Sequence, residues 1–336
     1  MNKHHWGIIG TGWIAHDMGR VMEENLGGVH AVAGTSLAKS LSYQQDVKTD
    51  KVYANYHELL ADQDIDCVYI ATPHASHYQI MKDALLAGKH VLCEKAITTS
   101  SAQLEECVRI AEERDLVICD GTTIPHMPLY RRLKEEITRG VIGQVRMVQV
   151  NFGSVKEYTR TSRFFDPYKA GGALLDIGIY ALTFARYFLN SYPDTILSTM
   201  QLLDNGVDES DGILLKNRDG ELGVVSLTLR AKQPKRGIIT GTEGFIEINE
   251  YPRADEAAIT IVPLSNKVTL KGTTTVIKAG KREDALLYEL QDMDRYIEDK
   301  AAARENLKII REVMRIISEV RRQCGLKYPF EETIEP

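Results

Sequence analysis

The stretch Trp6–Ala15, W-G-I-I-G-T-G-W-I-A, sets the reading of the chain. Lys3-His4-His5 ahead of it is polar, and Gly7-Ile8-Ile9 is a short apolar run that reads as a buried strand ending at Gly10. Gly10, Gly12 and Ala15 then follow the G-x-G-x-x-G/A spacing of a strand–turn–helix that binds a dinucleotide. Gly10 permits the tight turn, Gly12 lets the backbone approach a pyrophosphate, and the small Ala15 lets helix and strand pack closely. The helix that follows, Ile14 to about Leu26, aims its first N–H groups and positive dipole end at the diphosphate. Trp13 and Ile14 at its start join Gly10 and Gly12 as cofactor-binding candidates. The spacing alone also fits an ordinary glycine turn; its place at the first strand favours the nucleotide.

Outward from that turn, apolar runs alternate with helical stretches up to about residue 120. The expected strands are Trp6–Gly10, His30–Thr35, Cys67–Ala71, His90–Cys93 and Leu116–Cys119. This alternation predicts a doubly wound parallel sheet with helices on both faces, a Rossmann domain over residues 1–120. Ligands of such sheets bind beyond the strand C-termini, so Gly10–Gly12, Thr35–Ser36, Thr72–His74 and Glu94–Lys95 should line one crevice. Beyond residue 121 the pattern changes. Strands are expected at Gln144–Gly153, Ile196–Leu203, Gly212–Asn217, Gly223–Leu229, Gly237–Gly241, Phe245–Ile248, Ala258–Val262 and Lys267–Lys271, with turns at Arg218-Asp219-Gly220 and Gly241–Gly244. Helices are expected near Pro128–Arg139, Gly172–Leu189, Asp284–Asp299 and Asn306–Cys324. Residues 121–336 therefore read as an α+β domain, a mostly antiparallel open sheet with helices on one face. The last helix, with its stripe of Leu307, Ile310, Met314, Ile317 and Val320, is free to pack back on the first domain.

The totals exclude several functions. The 336 residues suggest two domains, and 43% hydrophobic with 26% charged is ordinary for a globular protein. A net charge of −6, from 41 basic and 47 acidic residues without a dense basic block, disfavours nucleic acid. The five cysteines lack metal-like spacing, so no metal site is expected and buried, reduced thiols are. No apolar run approaches the roughly 20 residues that span a bilayer, and the start has no signal-like apolar region, so the expectation is a cytoplasmic protein.

Three further segments carry chemistry. They are Ala71–Lys95 (A-T-P-H-A-S-H-Y-Q-I-M-K-D-A-L-L-A-G-K-H-V-L-C-E-K), Gly140–Gly143 (G-V-I-G) and Arg163–Tyr180 (R-F-F-D-P-Y-K-A-G-G-A-L-L-D-I-G-I-Y). Lys95 follows a strand C-terminus, where an ammonium can polarise a carbonyl or steady an alkoxide. Asp176 and Tyr180, four apart in a helical pattern, share a face and can hold a hydroxyl between carboxylate and phenol. Together with the glycine turn, these segments resemble the Gfo/Idh/MocA oxidoreductases, in the order and spacing of T-P-x-x-x-H, A-G-K-H-V-x-x-E-K-P and G-G-x-x-x-D-x-G-x-H/Y.

The resemblance implies NAD or NADP, a small-molecule substrate (sugar, polyol, related diol or carbonyl) and a C-terminal sheet used for substrate and for oligomerisation as a homodimer or homotetramer. The tyrosine at position 180 points to the branch of glucose-fructose oxidoreductase and the dimeric dihydrodiol dehydrogenases. Tyr180 is then the proton donor or acceptor, Lys95 polarises and Asp176 positions. Thr72, Pro73 and His77 line the nicotinamide side, and Glu94 orients Lys95 or touches the ribose. Arg163 and Asp166 stand where this branch carries substrate-pocket residues.

Two departures matter. Ala96 replaces the proline of E-K-P, and a cis peptide before alanine costs about 2.5–4 kcal/mol, so a trans bond and a shifted lysine are expected. Pro125-His126-Met127 replaces an arginine-bearing stretch, with His126 as its substitute at the substrate. At the end of the second strand, Thr35 and Ser36 offer neither the acid that holds NAD nor the arginine that recruits NADP, so both stay open. A non-catalytic nucleotide-binding sensor or co-regulator, and an NAD-assisted glycosidase, remain as alternatives to a dehydrogenase.

Overall fold

A computed structural model of the chain describes residues 4–159, 162–262 and 272–331. These divide into two units: the described residues up to Gly121 together with Leu286–Arg311, and Thr122–Ala285 together with those from Glu312 onward.

The first unit is built on β1 (Trp6–Ile9), β2 (Val29–Ala33), β3 (Thr49–Tyr53), β4 (Cys67–Ile70), β5 (His90–Cys93) and β6 (Ile118–Asp120). They form one sheet in the order β3-β2-β1-β4-β5-β6, every pairing parallel. Between them run α1 (Trp13–Leu26), α2 (Leu37–Asp46), α3 (Tyr56–Ala61), α4 (His74–Leu86) and α5 (Ser101–Glu113). The sequence pattern does not reveal β3, whose T-D-K-V-Y buries only Thr49 because it is an edge strand paired to β2 alone. The core gathers Trp6 and Ile8 of β1, Ala15, Met18 and Met22 of α1, and Tyr69 of β4. The chain then leaves this unit through α6 (Pro128–Thr138) and α7 (Ile179–Phe188) and returns with α8 (Ala285–Glu298). From α8, Leu286, Leu290, Met293 and Tyr296 join the same core. Cys67, Cys93, Cys107 and Cys119 are fully buried thiols of this unit, whereas Cys324 is partly exposed in the other.

The second unit carries β7 (Val145–Gly153), β8 (Thr195–Leu202), β9 (Asp208–Lys216), β10 (Leu222–Thr228), β11 (Arg236–Gly241), β12 (Gly244–Asn249), β13 (Glu256–Ile261) and β14 (Thr273–Lys278). Their order is β14-β13-β12-β11-β7-β10-β9-β8, antiparallel throughout except for the parallel β7–β10 pair. This is the largely antiparallel open sheet that the turn pattern predicted. The expected strand Lys267–Lys271 lies outside the described residues. On one face of the sheet α7 packs closely because glycines admit it. A Cβ at Gly237 would meet the Phe184 ring at 2.3 Å, and one at Gly178 would meet Leu227 at 2.7 Å. The long helix α9 (Lys300–Cys324) contributes residues to each unit: Arg311 pairs with Glu105 in the first, and Arg186 with Glu312 in the second.

Candidate active site

Gly10 closes β1 with φ +120°, and a Cβ there would sit 2.3 Å from the Ala71 carbonyl oxygen, so neither the backbone nor the space admits another residue. Its N–H donates to the Ala33 carbonyl at 2.8 Å, which turns the chain across the sheet edge. Gly12 is the N-cap of α1; a Cβ on it would meet nothing within 4 Å, and no side chain caps the helix. No side chain thus caps the start of α1, and Gly12 leaves room there, an arrangement that suits a diphosphate. Ala15 is fully buried, and its carbonyl accepts the Tyr43 hydroxyl at 3.0 Å. Trp13 is largely exposed and Ile14 half-buried beside the turn. The donor set and the cradle fit a dinucleotide.

At the next strand end, Thr35, Ser36 and Lys39 are exposed, and Ser36 Oγ accepts from the Lys39 N–H to start α2. Beyond β4, Ser76 Oγ donates to Thr72 Oγ1 at 2.9 Å, and Pro73 is exposed at the N-cap of α4. The His77 ring is fully buried, with Nδ1 2.9 Å from the Ala96 carbonyl oxygen and Nε2 2.7 Å from that of Thr72. A neutral ring donates its one N–H to one of these two carbonyls, and the ring lies between the loop after β4 and the loop after β5. Burial holds its pKa down, against the two carbonyls, which raise it.

Beyond β5, Glu94 takes the Tyr69 hydroxyl on Oε1 at 2.6 Å and the Lys95 N–H on Oε2 at 3.2 Å. Its carboxylate therefore fixes the backbone from which the half-buried Lys95 side chain springs. The expectation of a trans peptide after Lys95 is overturned: the Lys95–Ala96 bond is cis. Ala96 is fully buried, and its carbonyl oxygen is the one that lies against His77 Nδ1.

The remaining candidates belong to the second unit. Asp176 is buried in a single π turn, Leu174–Gly178, and half-buried Tyr180 follows in α7 with its ring 6.2 Å from that of Phe152. The sequence pattern predicted one regular helix over Gly172–Leu189; the wider turn at its start is the difference, and such turns recur at functional sites. His126 is buried in the turn ahead of α6, where its N–H donates to the Thr123 carbonyl at 3.0 Å. Arg163 is exposed, its guanidinium stacked 4.5 Å from the Phe164 ring centre. Asp166 accepts the Tyr168 N–H at 3.0 Å and pairs with Lys169 at 2.6 Å, so it starts the short turn Pro167–Lys169. Sequence reasoning missed Asp208, whose Oδ2 accepts the Leu174 N–H at 2.6 Å, and Tyr69 behind Glu94. Nothing in their spacing singles them out.

Among the described residues, one group has metal-type donors close together: His30, Asp62 and Asp64. The Lys51 ammonium lies 2.8 Å from both carboxylates and answers their charge.

Residues 4–121 match the family described as "Oxidoreductase family, NAD-binding Rossmann fold", and residues 130–247 match the GFO/IDH/MocA C-terminal domain. The chain belongs to the Gfo/Idh/MocA oxidoreductase family. Among curated relatives of this Gfo/Idh/MocA chain, trans-1,2-dihydrobenzene-1,2-diol dehydrogenase of Danio rerio is 31% identical over 247 residues, 72% of this chain and 73% of that protein. Its Mus musculus counterpart is 30% identical over 249 residues, 73% and 74% of the two chains. Among solved structures, a 3-ketoreductase from Actinomadura kijaniata in complex with NADP and TDP-benzene superposes with a TM-score of 0.84 at 23% identity, over 96% of this chain and 98% of that one. UDP-N-acetylglucosamine 3-dehydrogenase from Acidithiobacillus ferrooxidans gives 0.79 at 17% identity, over 96% and 97%. The Gfo/Idh/MocA protein is thus an NAD(P)-dependent dehydrogenase or reductase acting on CH–OH groups. No helix among the described residues is long and apolar enough to cross a membrane.

Proposed function

We propose that the protein interconverts a ring alcohol and its ketone beside a second hydroxyl, in a sugar, polyol or cyclic diol, with Lys95, Asp176 and Tyr180 as its chemical set. The observation that carries this is the Glu94–Lys95 corner: a lysine just past a parallel-strand C-terminus, its backbone pinned by a buried carboxylate. The substrate class rests on the relatives' names, which include a dihydrobenzene diol and a 3-ketoreductase.

When bound, the nicotinamide supplies or accepts a hydride. The chain's own groups handle charge and proton. Lys95 steadies negative charge developing on the substrate oxygen. Tyr180 gives its phenolic proton to that oxygen in reduction and takes it back in oxidation. Asp176 accepts a hydrogen bond from the neighbouring hydroxyl and fixes which ring carbon reacts. Gly10, Gly12, Trp13 and Ile14 hold the diphosphate end of the nucleotide, Thr35 and Ser36 its adenosine ribose, and Thr72, Pro73 and Glu94 the nicotinamide side. His77 sits behind, between the two loops. Arg163, Asp166 and His126 remain candidates for the outer wall of the substrate pocket.

The test is oxidation of trans-cyclohexane-1,2-diol with NADP+, and reduction of the matching hydroxyketone, 2-hydroxycyclohexanone, with NADPH, followed at the nicotinamide absorbance. Lys95→Ala should lower kcat by roughly 100-fold or more while NADPH fluorescence titrations stay near wild type. Tyr180→Phe should do the same without loss of fold. A Lys95→Ala protein with near-normal kcat would sink the mechanism.

A further inference from the structure

A helix start leaves its first N–H groups without intrahelical acceptors, and burial there demands a substitute for water. The helical segment bearing Asp176 and Tyr180 begins at Leu174 with no side-chain cap from the position before it. The residues ahead are Gly171-Gly172-Ala173, none of which has a capping oxygen in its side chain. The acceptor comes instead from 34 residues downstream. Asp208, first residue of β9 and fully buried, accepts the Leu174 N–H at 2.6 Å and also that of Ala173. Gly172 makes the room: its φ is +124°, and a Cβ would fall 1.9 Å from Asp208 Oδ1.

Asp211, three residues on in β9, is buried too, and Asp208 Oδ1 and both Asp211 oxygens are buried without a hydrogen-bond donor. Two carboxyl groups can pair only through a proton, and sharing one would satisfy those oxygens and leave one of the two groups neutral. Burial raises the Asp208 pKa as well, but the N–H groups at the helix start work against that rise and favour the charge on Asp208, and Asp211 has no such donors, which puts the proton on Asp211. Burial raises the Asp211 pKa well above the usual carboxylate range, and the Asp208 charge raises it further.

Other ionisable groups surround the pair. Tyr328, fully buried, donates its hydroxyl to the Gly171 carbonyl, and its phenol pKa is raised by burial and then by the Asp208 charge. Cys324, at the end of α9 with its Sγ 3.5 Å from Ser198 Oγ, adds slightly to the rise in the Asp211 pKa. Arg321 stacks on the Tyr328 ring and pairs with Glu331, and Asp176 lies two residues past Leu174.

We propose that Asp208 and Asp211 form a singly protonated pair that caps, from a distant strand, the helix carrying Asp176 and Tyr180, and so positions those two groups for catalysis. The catalytic part of this inference rests on the reading of Tyr180 and Asp176 given above. With the proton in place the pair holds one charge, matched to the helix start. Loss of that proton sets two buried negative charges against each other, and the cap is released.

Asp211 holds its proton more tightly folded than unfolded, so its contribution to stability is present at low pH. It is lost as pH rises from the unfolded pKa, about 4, towards the folded one.

The experiment compares wild type, Asp211→Asn, Asp208→Asn and Asp208→Ala in thermal melts from pH 5 to pH 9. It adds NADPH titration and steady-state kinetics of hydroxyketone reduction, giving kcat and KM. Either amide substitution leaves one charge and a fixed donor, so the Tm of each should gain on wild type steadily as pH rises. A constant difference across that range overturns the shared proton. Asp208→Ala should lose about tenfold or more in kcat, with NADPH affinity and KM within about twofold. An unchanged kcat overturns the positioning role. If Asp208→Ala does not fold, Asp208→Asn decides that arm, because its charge has moved to Asp211 and away from the Leu174 N–H: a lowered kcat supports the proposal and a wild-type kcat overturns it. Should wild type itself not turn over the hydroxyketone, the proposed substrate class falls, and the melts still decide whether the pair shares a proton.

Discussion

Lys134 of α6 has its ammonium inside the second unit, donated to the Tyr187 carbonyl and set over the Tyr187 ring. Burial, and then the neighbouring Arg186, push its pKa down to about 8. A lysine whose pKa falls on folding opposes folding while it is charged, and the penalty fades as pH rises from the folded value to the unfolded one. Stability should therefore climb between about pH 8 and pH 10.5, by about 3.4 kcal/mol if the whole shift is expressed. Lys134→Met should remove that climb and stabilise the protein at pH 7, as measured by urea unfolding across pH. A variant less stable than wild type at pH 7 would mean that the Tyr187 bond outweighs the burial. Such residues separate what sequence reveals from what it conceals. Gly10 was legible because its reason is local, a positive φ at a strand end against the next strand's carbonyl. Lys134 and Asp208 were not, since their partners lie 53 and 34 positions away and no spacing rule connects them.

Elements with a strong period were read well and those at edges were not. The parallel strands β1, β4 and β5 are buried on both faces and appear as apolar runs. β3 does not, because Lys51 and Tyr53 are spent on Asp62 rather than on a core. The π turn at Leu174–Gly178 was hidden as well, since its residues suit an ordinary α-helix and the cap that fixes it arrives from β9. The junction of β2 with α2 was legible in place but not in preference. Thr35, Ser36 and Lys39 stand exposed at a helix start, with no acid to repel a 2′-phosphate. Thr35→Asp should weaken NADPH by about tenfold or more while sparing NADH, read by fluorescence titration. Equal losses for both nucleotides would show that this junction does not choose between them.

Across the whole second unit, one line of side chains crosses all eight strands on the face away from α7. It runs Leu197, Leu214, Val224, Gln149, Ile238, Glu247, Ala258 and Val276, each paired with the next in register. Leu197 is 58% exposed, Leu214 51% and Val276 55%, an apolar surface that a lone subunit leaves in water. We infer that a second copy of the chain covers this face. Leu197→Glu combined with Leu214→Glu should convert a wild-type dimer or tetramer to monomer in light scattering at micromolar concentration. A wild type that is already monomeric there would refute the inference.

The cysteines give the two units separate voices. Cys67, Cys93, Cys107 and Cys119 are sealed in the first unit, and burial raises all four thiol pKa values, that of Cys107 to about 12. Cys324, in the second, is reachable. A thiol reagent should consequently titrate one sulfur at once and then wait. The rate at which the other four follow measures how often the nucleotide-binding unit opens, without a label, a mutation or a cofactor. Bound NADPH should slow those four and leave Cys324 untouched, so the chain carries its own stopwatch for ligand-dependent breathing.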